Sequence, residues 1–196
     1  MAKQGLLVVI SGPSGTGKGT IVKELLSGSD TIMLSVSATT RKPRVGEVNG
    51  VNYYFVSRDE FTHLVETDGM LEYAEYCGNC YGTPRKPVED ALDGGRDVLL
   101  EIEVQGALQI KQKCPECVTL FILPPSVEEL EHRLRGRGTE DEDTIRDRMN
   151  QLERELSFVS QYDYAVVNDD LQEALDDVRA ILRAEHCRTK HIETMK

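Results

Sequence analysis

A chain of 196 residues with 39% hydrophobic and 29% charged residues is long enough for one well-buried domain with one or two small insertions. Its net charge of −11 argues against a nucleic-acid or anionic-membrane partner, since either would be repelled over most of the surface. The apolar run near the N-terminus, Leu6 to Ile10, is short and carries no cleavage-site pattern. Neither a signal peptide nor a membrane span is therefore expected, and the expected location is cytoplasmic.

The first predicted element is the strand Leu6-Leu7-Val8-Val9-Ile10, followed at once by Gly12-Pro13-Ser14-Gly15-Thr16-Gly17-Lys18-Gly19-Thr20 and then by an amphipathic helix from Ile21. Strand, glycine-rich turn and helix in this order are what a phosphate-binding loop requires. The loop's N–H groups can converge on an anion beside the positive helix end, and Lys18 adds a mobile charge for the outer phosphates. Gly19 stands where Ser or Thr is usual, with Thr20 one position later, so a hydroxyl ligand to magnesium at the usual place is in doubt. The Gly-Lys-Gly-Thr form resembles the one used by nucleoside monophosphate kinases such as adenylate kinase.

Ile32 to Ser37 reads as a second strand, and the basic run Thr39-Thr40-Arg41-Lys42-Pro43-Arg44 follows its end, where open α/β sheets bind ligands. Val51 to Val56 alternates like a strand, Ser57 to Glu60 is a capping box opening a helix, and Met70 to Tyr76 and Tyr81 to Pro84 are further strand candidates. Three short strands with one helix make a small α+β insertion. Pro87 is expected to open a helix. Val98 to Val104 is expected to be a core strand, with Glu101 and Glu103 at its far end needing a cationic or donor partner.

Ala107 to Lys113 reads as a helix, Val118 to Leu123 as a strand, and Ser126 to Glu129 as a second capping box. The helix it opens runs into the arginine cluster Arg133-Leu134-Arg135-Gly136-Arg137-Gly138, and a long helix then carries Arg146 and Arg148. Two helices joined by a glycine-arginine elbow fit a closing lid. Tyr164 to Val167 is the last strand, and Asn168-Asp169-Asp170 caps a final helix.

Five cysteines include the pairs Cys77/Cys80 and Cys114/Cys117, which on spacing alone admit a four-thiolate zinc site. The long separation, containing a helix and a strand, should carry the pairs to different places. Reduced cysteines are the expected state.

Over nearly its whole length the chain resembles bacterial guanylate kinases. The resemblance rests on the glycine loop, Ser35 to Arg44, Tyr53 to Val56, Tyr81-Gly82-Thr83, Glu101 to Gly106, Leu123 to Ser126, Arg135 to Thr139 and Val167 to Asp170. It implies an α/β fold: a P-loop NTPase core with a parallel sheet flanked by helices (about 1–37, 85–135 and 150–190), an inserted GMP-binding subdomain (about 38–84) and a helical lid (about 136–149). The implied reaction moves the γ-phosphoryl group of ATP to GMP, with dGMP as a further acceptor, giving ADP and GDP with magnesium. Carried over by motif, Lys18, Arg41, Arg137 and Arg148 are catalytic. ATP is held by Gly12, Pro13, Ser14, Gly15, Thr16, Gly17, Lys18, Gly19, Thr20, Arg133 and Asn168. GMP is held by Ser37, Arg41, Arg44, Tyr53, Glu72, Tyr81, Thr83 and Glu101. No direct protein ligand to magnesium is assigned; contact through water would come from Thr20 or Glu103. Glu101 and Glu103 stand where many relatives have aspartates, and Cys80 stands where they usually have tyrosine. The partners implied are ATP and GMP, with no nucleic acid and no membrane, and with homo-oligomerisation left open. The alternatives are a P-loop kinase for another phosphorylated acceptor, or an idle guanylate-kinase-like domain that binds a protein.

Overall fold

The computed structural model describes residues 4–136 and 142–188, and at residues 133, 136, 142–144, 147 and 148 the backbone alone. In order the chain forms β1 (Leu7–Ser11), α1 (Lys18–Ser27), β2 (Ile32–Leu34), β3 (Ala38–Thr39), β4 (Tyr54–Phe55), α2 (Arg58–Glu66), β5 (Met70–Tyr76) and β6 (Asn79–Pro84). It continues through α3 (Arg85–Asp93), β7 (Asp97–Glu101), α4 (Val104–Lys113), β8 (Val118–Leu123), α5 (Val127–Gly136), α6 (Glu142–Leu156), a 3-10 turn (Val159–Gln161), β9 (Tyr164–Val167) and α7 (Leu171–His186).

Alternation along β1 sorts the core into two layers, because successive side chains on a strand point to opposite faces. Val8 and Ile10 pack with Ile21, Val22 and Leu25 of α1 and with Ala174, Leu175 and Val178 of α7. Val9 packs on the other face with Val88 of α3 and with Ala107 and Ile110 of α4. The sheet between them is parallel throughout, in the order β2-β7-β1-β8-β9, so β1 is central. Covering both faces explains why its strands read as continuous apolar runs.

Residues 38–84 build a second sheet, β4-β3-β6-β5, in which β3 and β4 are parallel and the other pairs antiparallel. Its own small core gathers Ala38, Phe61 and Met70. The capping box at Ser57 forms as the sequence predicts, with both Ser57 and Glu60 reaching the other's backbone.

Several expected boundaries shift. The strand expected over Ile32 to Ser37 is divided: Ser35 N–H still donates to Leu99 O at 2.9 Å, but Ala38 has changed sheets and pairs with Gly82 and Tyr54. The strand expected over Val51 to Val56 is reduced to Tyr54–Phe55, because Val51 and Asn52 turn back onto Val48 O. The helix expected to open at Pro87 starts at Arg85 with Pro84 as its N-cap, and Pro87 sits in the first turn, where its missing N–H costs nothing. The strand expected to reach Val104 stops at Glu101. Ser11 Oγ donates to Ile102 O at 2.8 Å, and Glu103 is already the N-cap residue of α4.

Buried Asp97 ties three termini together: Oδ1 accepts from Leu6 N at 2.8 Å, and Oδ2 meets His186 Nε2 at 2.8 Å. Asp97→Ala orphans a buried N–H and a half-buried ring. The expected loss is about 1–3 kcal/mol, seen in a melting experiment as a drop of about 2–4 °C per kcal/mol at this chain length. An unchanged melting temperature would contradict the role given to this carboxylate.

Candidate active site

The central strand ends in a loop whose carbonyls are occupied from within. Thr16 Oγ1 donates to Pro13 O at 2.9 Å, Asn168 Nδ2 donates to Thr16 O at 2.7 Å, and Lys18 Nζ donates to Pro13 O at 2.9 Å and to Gly12 O. Gly17, the N-cap of α1, has φ 87°, and a Cβ there would lie 2.4 Å from Asn168 Nδ2. Only glycine accommodates both the left-handed backbone and that approach. With its carbonyls satisfied, the loop presents a helix N-terminus to an anion.

A cavity of about 340 Å³ lies there, lined by Ser14, Gly15, Gly17, Lys18, Gly19, Thr20 and Glu101. Register explains the last member: β1 and β7 pair Ile10 with Glu101, so this carboxylate stands beside the root of the loop. Burial pushes its pKa up, the Lys18 charge opposes that, and Glu103 adds to it. Glu103, at the N-terminus of α4, is not among the lining residues. A larger cleft of about 500 Å³, lined in part by Thr31, Asp97 and His186, opens at the N-terminal ends of β2 and β7. The glycine loop and its cavity lie at the opposite, C-terminal ends, where ligands bind to parallel sheets.

The second sheet gathers two further groups. Pairing of β3 with β6 sets Thr39 opposite Tyr81, and the rings of Tyr53 and Tyr81 meet edge to face with centroids 6.1 Å apart. The Arg41 guanidinium lies 5.5 Å from the Tyr53 ring centroid. Glu47 grips it bidentately, at 2.8 Å from Nη2 and 3.0 Å from Nη1, and also accepts from Arg44 N at 2.7 Å. Those contacts, Arg41 first, hold the Glu47 carboxyl below the usual range. Ser37, just before β3, contributes its carbonyl to Tyr54 N at 2.9 Å. In the β5–β6 hairpin Glu72 pairs with Thr83, whose Oγ1 donates to Glu72 Oε1 at 2.7 Å. Glu72 is 6% exposed. Burial pushes its carboxyl up, against the hydrogen bonds of Thr83.

Of the arginines expected in a lid, Arg137 lies outside the described residues. Arg133 falls on α5 and Arg148 on α6, with their side chains outside the described set. Leu130 and Leu134 of α5 pack with Leu152 of α6, so these helices share one small apolar cluster. The structure thus assembles Lys18, Thr20 and Glu101 at one place, Arg41, Tyr53 and Tyr81 at a second, and Glu72 with Thr83 at a third. Asn168 is committed to the backbone of the glycine loop.

Sequence reasoning missed Glu47 and Glu155. Glu47 lies between Gly46 and Gly50, where the sequence suggests no more than a turn, although an acid three residues after Arg44 in a basic run is a usable signal. Glu155 is a buried carboxylate on α6, bound by Gln151 Nε2 at 2.7 Å and raised by burial, with Glu103 and Lys18 close enough to act on it. Its apolar neighbours at helical spacing gave no warning of it. Cys77 lies in the β5–β6 turn and Cys80 on β6, while Cys114 and Cys117 lie in the α4–β8 connection, and all five cysteines are free thiols. Among the described residues no three His, Cys, Asp or Glu side chains form a metal-holding group, and no helix is long and apolar enough to cross a membrane.

The family model described as guanylate kinase matches residues 4–185. A guanylate kinase of Desulfitobacterium hafniense is 55% identical over 186 residues, covering 95% of this chain and 93% of that protein. One from Halalkalibacterium halodurans is 50% identical over 190 residues, covering 97% and 93%. Among solved structures, a guanylate kinase from Anaplasma phagocytophilum aligns with a TM-score of 0.73 at 39% identity, over 95% of this chain and 89% of that one. A shikimate kinase from Bacteroides thetaiotaomicron, at 15% identity and a TM-score of 0.50, over 91% of this chain and 98% of that one, shares the fold.

Asn168→Ala removes the donor that holds the Thr16 carbonyl inward. Loss of one buried hydrogen bond should weaken binding of a nucleoside triphosphate about tenfold, measured by titration with a non-hydrolysable analogue. Unaltered affinity would separate Asn168 from the loop's function.

Proposed function

The chain belongs to the guanylate kinase family, and from that premise we propose that it transfers the γ-phosphoryl group of ATP to GMP, and to dGMP, giving ADP and GDP. The observation that carries this is the segregation of charge: cations at the two places where phosphates would lie, and a buried carboxylate with a hydroxyl at the place where a base would lie.

ATP would rest its phosphates on the amides of Gly15 to Thr20, with Lys18 leaving the carbonyls of Gly12 and Pro13 for the outer phosphates. Arg133 and Asn168 would complete the ATP side, Asn168 from its fixed position on Thr16. The GMP phosphate would take Arg41, Arg44 and the hydroxyls of Tyr53 and Tyr81, since guanidinium forks match phosphate oxygens. Guanine presents an acceptor oxygen beside a ring N–H and an exocyclic amine. Glu72 would accept from the nitrogens, steadied by the Thr83 hydroxyl that donates to it, and Ser37 would donate to the oxygen. Glu101 belongs to the GMP set as well, and its position by Lys18 makes it a link between the two nucleotides. Adenine reverses donor and acceptor at this edge and lacks the flanking amine, so AMP should be rejected.

Transfer itself needs little covalent help; it needs positive charge around the moving group and exclusion of water. Lys18 and Arg41 would supply that charge from the two sides, and Arg137 and Arg148 from the lid. The donor set of Thr20 and Glu101, a hydroxyl and a carboxylate lining the phosphate cavity, fits a magnesium ion that keeps most of its waters. When bound with ATP, that ion would neutralise charge on the phosphates.

The direct test is ADP release with GMP present and absent, then with AMP in its place. Release that does not depend on GMP, or that is faster with AMP, would overturn the reading. Lys18→Met should lower turnover by about two to four orders of magnitude with GMP binding little changed, because the lysine acts mainly on the transition state.

Titration of Glu72 gives a second check. Only its ionised form accepts from both guanine nitrogens, and burial raises its pKa. The KM for GMP should therefore rise as pH falls, beginning above the ordinary glutamate value of about 4.3. Glu72→Gln should raise the KM for GMP and flatten that dependence; a pH profile identical to wild type would remove Glu72 from the guanine site.

A further inference from the structure

The second sheet ends on an open edge. β5 is its outermost strand, and an edge strand offers unpaired N–H and C=O groups. At Tyr73 both are taken by a single side chain from the core. Gln109 of α4 accepts from Tyr73 N at 3.2 Å with Oε1 and donates to Tyr73 O at 3.0 Å with Nε2. One carboxamide thus replaces the peptide of a missing strand.

Two neighbours on the same face of α4 address the same strand. Gly106 stands one turn before Gln109, and Lys113 one turn after it. A Cβ on Gly106 would lie 2.8 Å from Glu72 Oε2, so the helix backbone comes up against the carboxylate that bounds the proposed guanine site. Lys113 Nζ donates to Met70 O at 2.9 Å. Spacings of three and four residues bring all three positions into line. α4 is itself fixed to the parallel sheet through Ala107 and Ile110.

We infer that Gln109 is a positioning residue for purine specificity: it locks the Tyr73 peptide to α4 and so holds the adjoining Glu72 carboxylate at the depth from which it reads guanine. The inference rests on the assignment of Glu72 to the guanine site. Glu72 and Tyr73 share one peptide unit, so any swing of the edge at Tyr73 moves the Glu72 backbone. Thr83 holds the carboxylate from the other side, its hydroxyl donating to Glu72 Oε1 at 2.7 Å. Selection by hydrogen bonding is steep only while the accepting atom stays in place.

The test compares GMP with IMP, which has hydrogen in place of the exocyclic amine. Gln109→Leu should raise the KM for GMP about tenfold, lower kcat by no more than about threefold, leave the KM for ATP in place, and reduce the GMP-to-IMP ratio of kcat/KM about tenfold. Gln109→Glu keeps an acceptor for Tyr73 N but loses the donor, and should fall between. In a Glu72→Gln background, Gln109→Leu should give no further loss of the ratio, as expected for groups acting as one unit.

An unchanged ratio in a folded Gln109 variant overturns the inference, as does equal loss toward ATP and GMP. Failure of both variants to fold, judged by melting, also overturns it by reducing Gln109 to a structural strut. Glu72→Gln separates the two levels. If that variant keeps the preference for GMP over IMP, the guanine assignment fails and the inference falls with it. If it loses the preference while Gln109→Leu retains it, only the inference fails.

Discussion

A phosphate loop works only if its carbonyls point away from the ligand, and here three side chains enforce that. Thr16 closes the loop on Pro13, Asn168 reaches across from the end of β9 to Thr16 O, and Lys18 folds back onto Gly12 and Pro13. Each bond removes an acceptor that would repel an incoming anion. Lys18 differs from the others because its bonds are exchangeable: an ammonium resting on neutral carbonyls gains by moving to phosphate oxygens, since charge-assisted bonds are the stronger. The loop is held ready by contacts of which only the two from Lys18 are exchangeable.

The same logic explains how an acidic chain can serve an anionic substrate. Its cations are few, and where they cluster a carboxylate sets their geometry. Glu47 holds the Arg41 guanidinium by its two terminal nitrogens against the faces of Tyr53 and Phe55. A flexible arginine would lose rotamer entropy on gripping a phosphate, and pinning it beforehand reduces that loss. Glu101 beside Lys18 adds to the pattern, a carboxylate standing next to the ammonium of the glycine loop.

Much of this was legible in the sequence because it depends on local spacing. The glycine loop, the capping box at Ser57 and the apolar runs of β1, β7 and β8 each declare themselves within about ten residues. What escaped depends on partners far along the chain. Nothing in Ile32 to Ser37 reveals that its hydrogen bonds pass from Leu99 in one sheet to residues 54 and 82 in another. The alternation Glu101-Ile102-Glu103 reads as strand because the turn is set by a bond from Ser11, about ninety residues earlier. Glu101 was legible as a carboxylate needing a cation; that it lines one cavity with Lys18 depends on the β1–β7 register. Gln109 carried no signal at all, since a polar residue on an amphipathic helix is ordinarily solvated.

The two sheets meet different demands, and α4 reconciles them. Phosphate chemistry requires a rigid edge, which the parallel sheet provides by being covered on both faces. The proposed selection of guanine would use a buried carboxylate, and burying one is costly unless it is hydrogen-bonded. Glu72 is therefore set between Thr83 of its own sheet and the backbone of a helix whose other face is packed into the larger core. Its raised pKa reflects that cost: the site holds its charge reluctantly until donors arrive. A ligand with two donors on one edge offsets the penalty, whereas one that brings none, or reverses one of them, leaves a desolvated carboxylate unpaired. On the proposed assignment of Glu72 to guanine, discrimination would come less from attraction to the right base than from the penalty of accepting the wrong one, and it would be only as sharp as the contacts that stop β5 from moving away from α4.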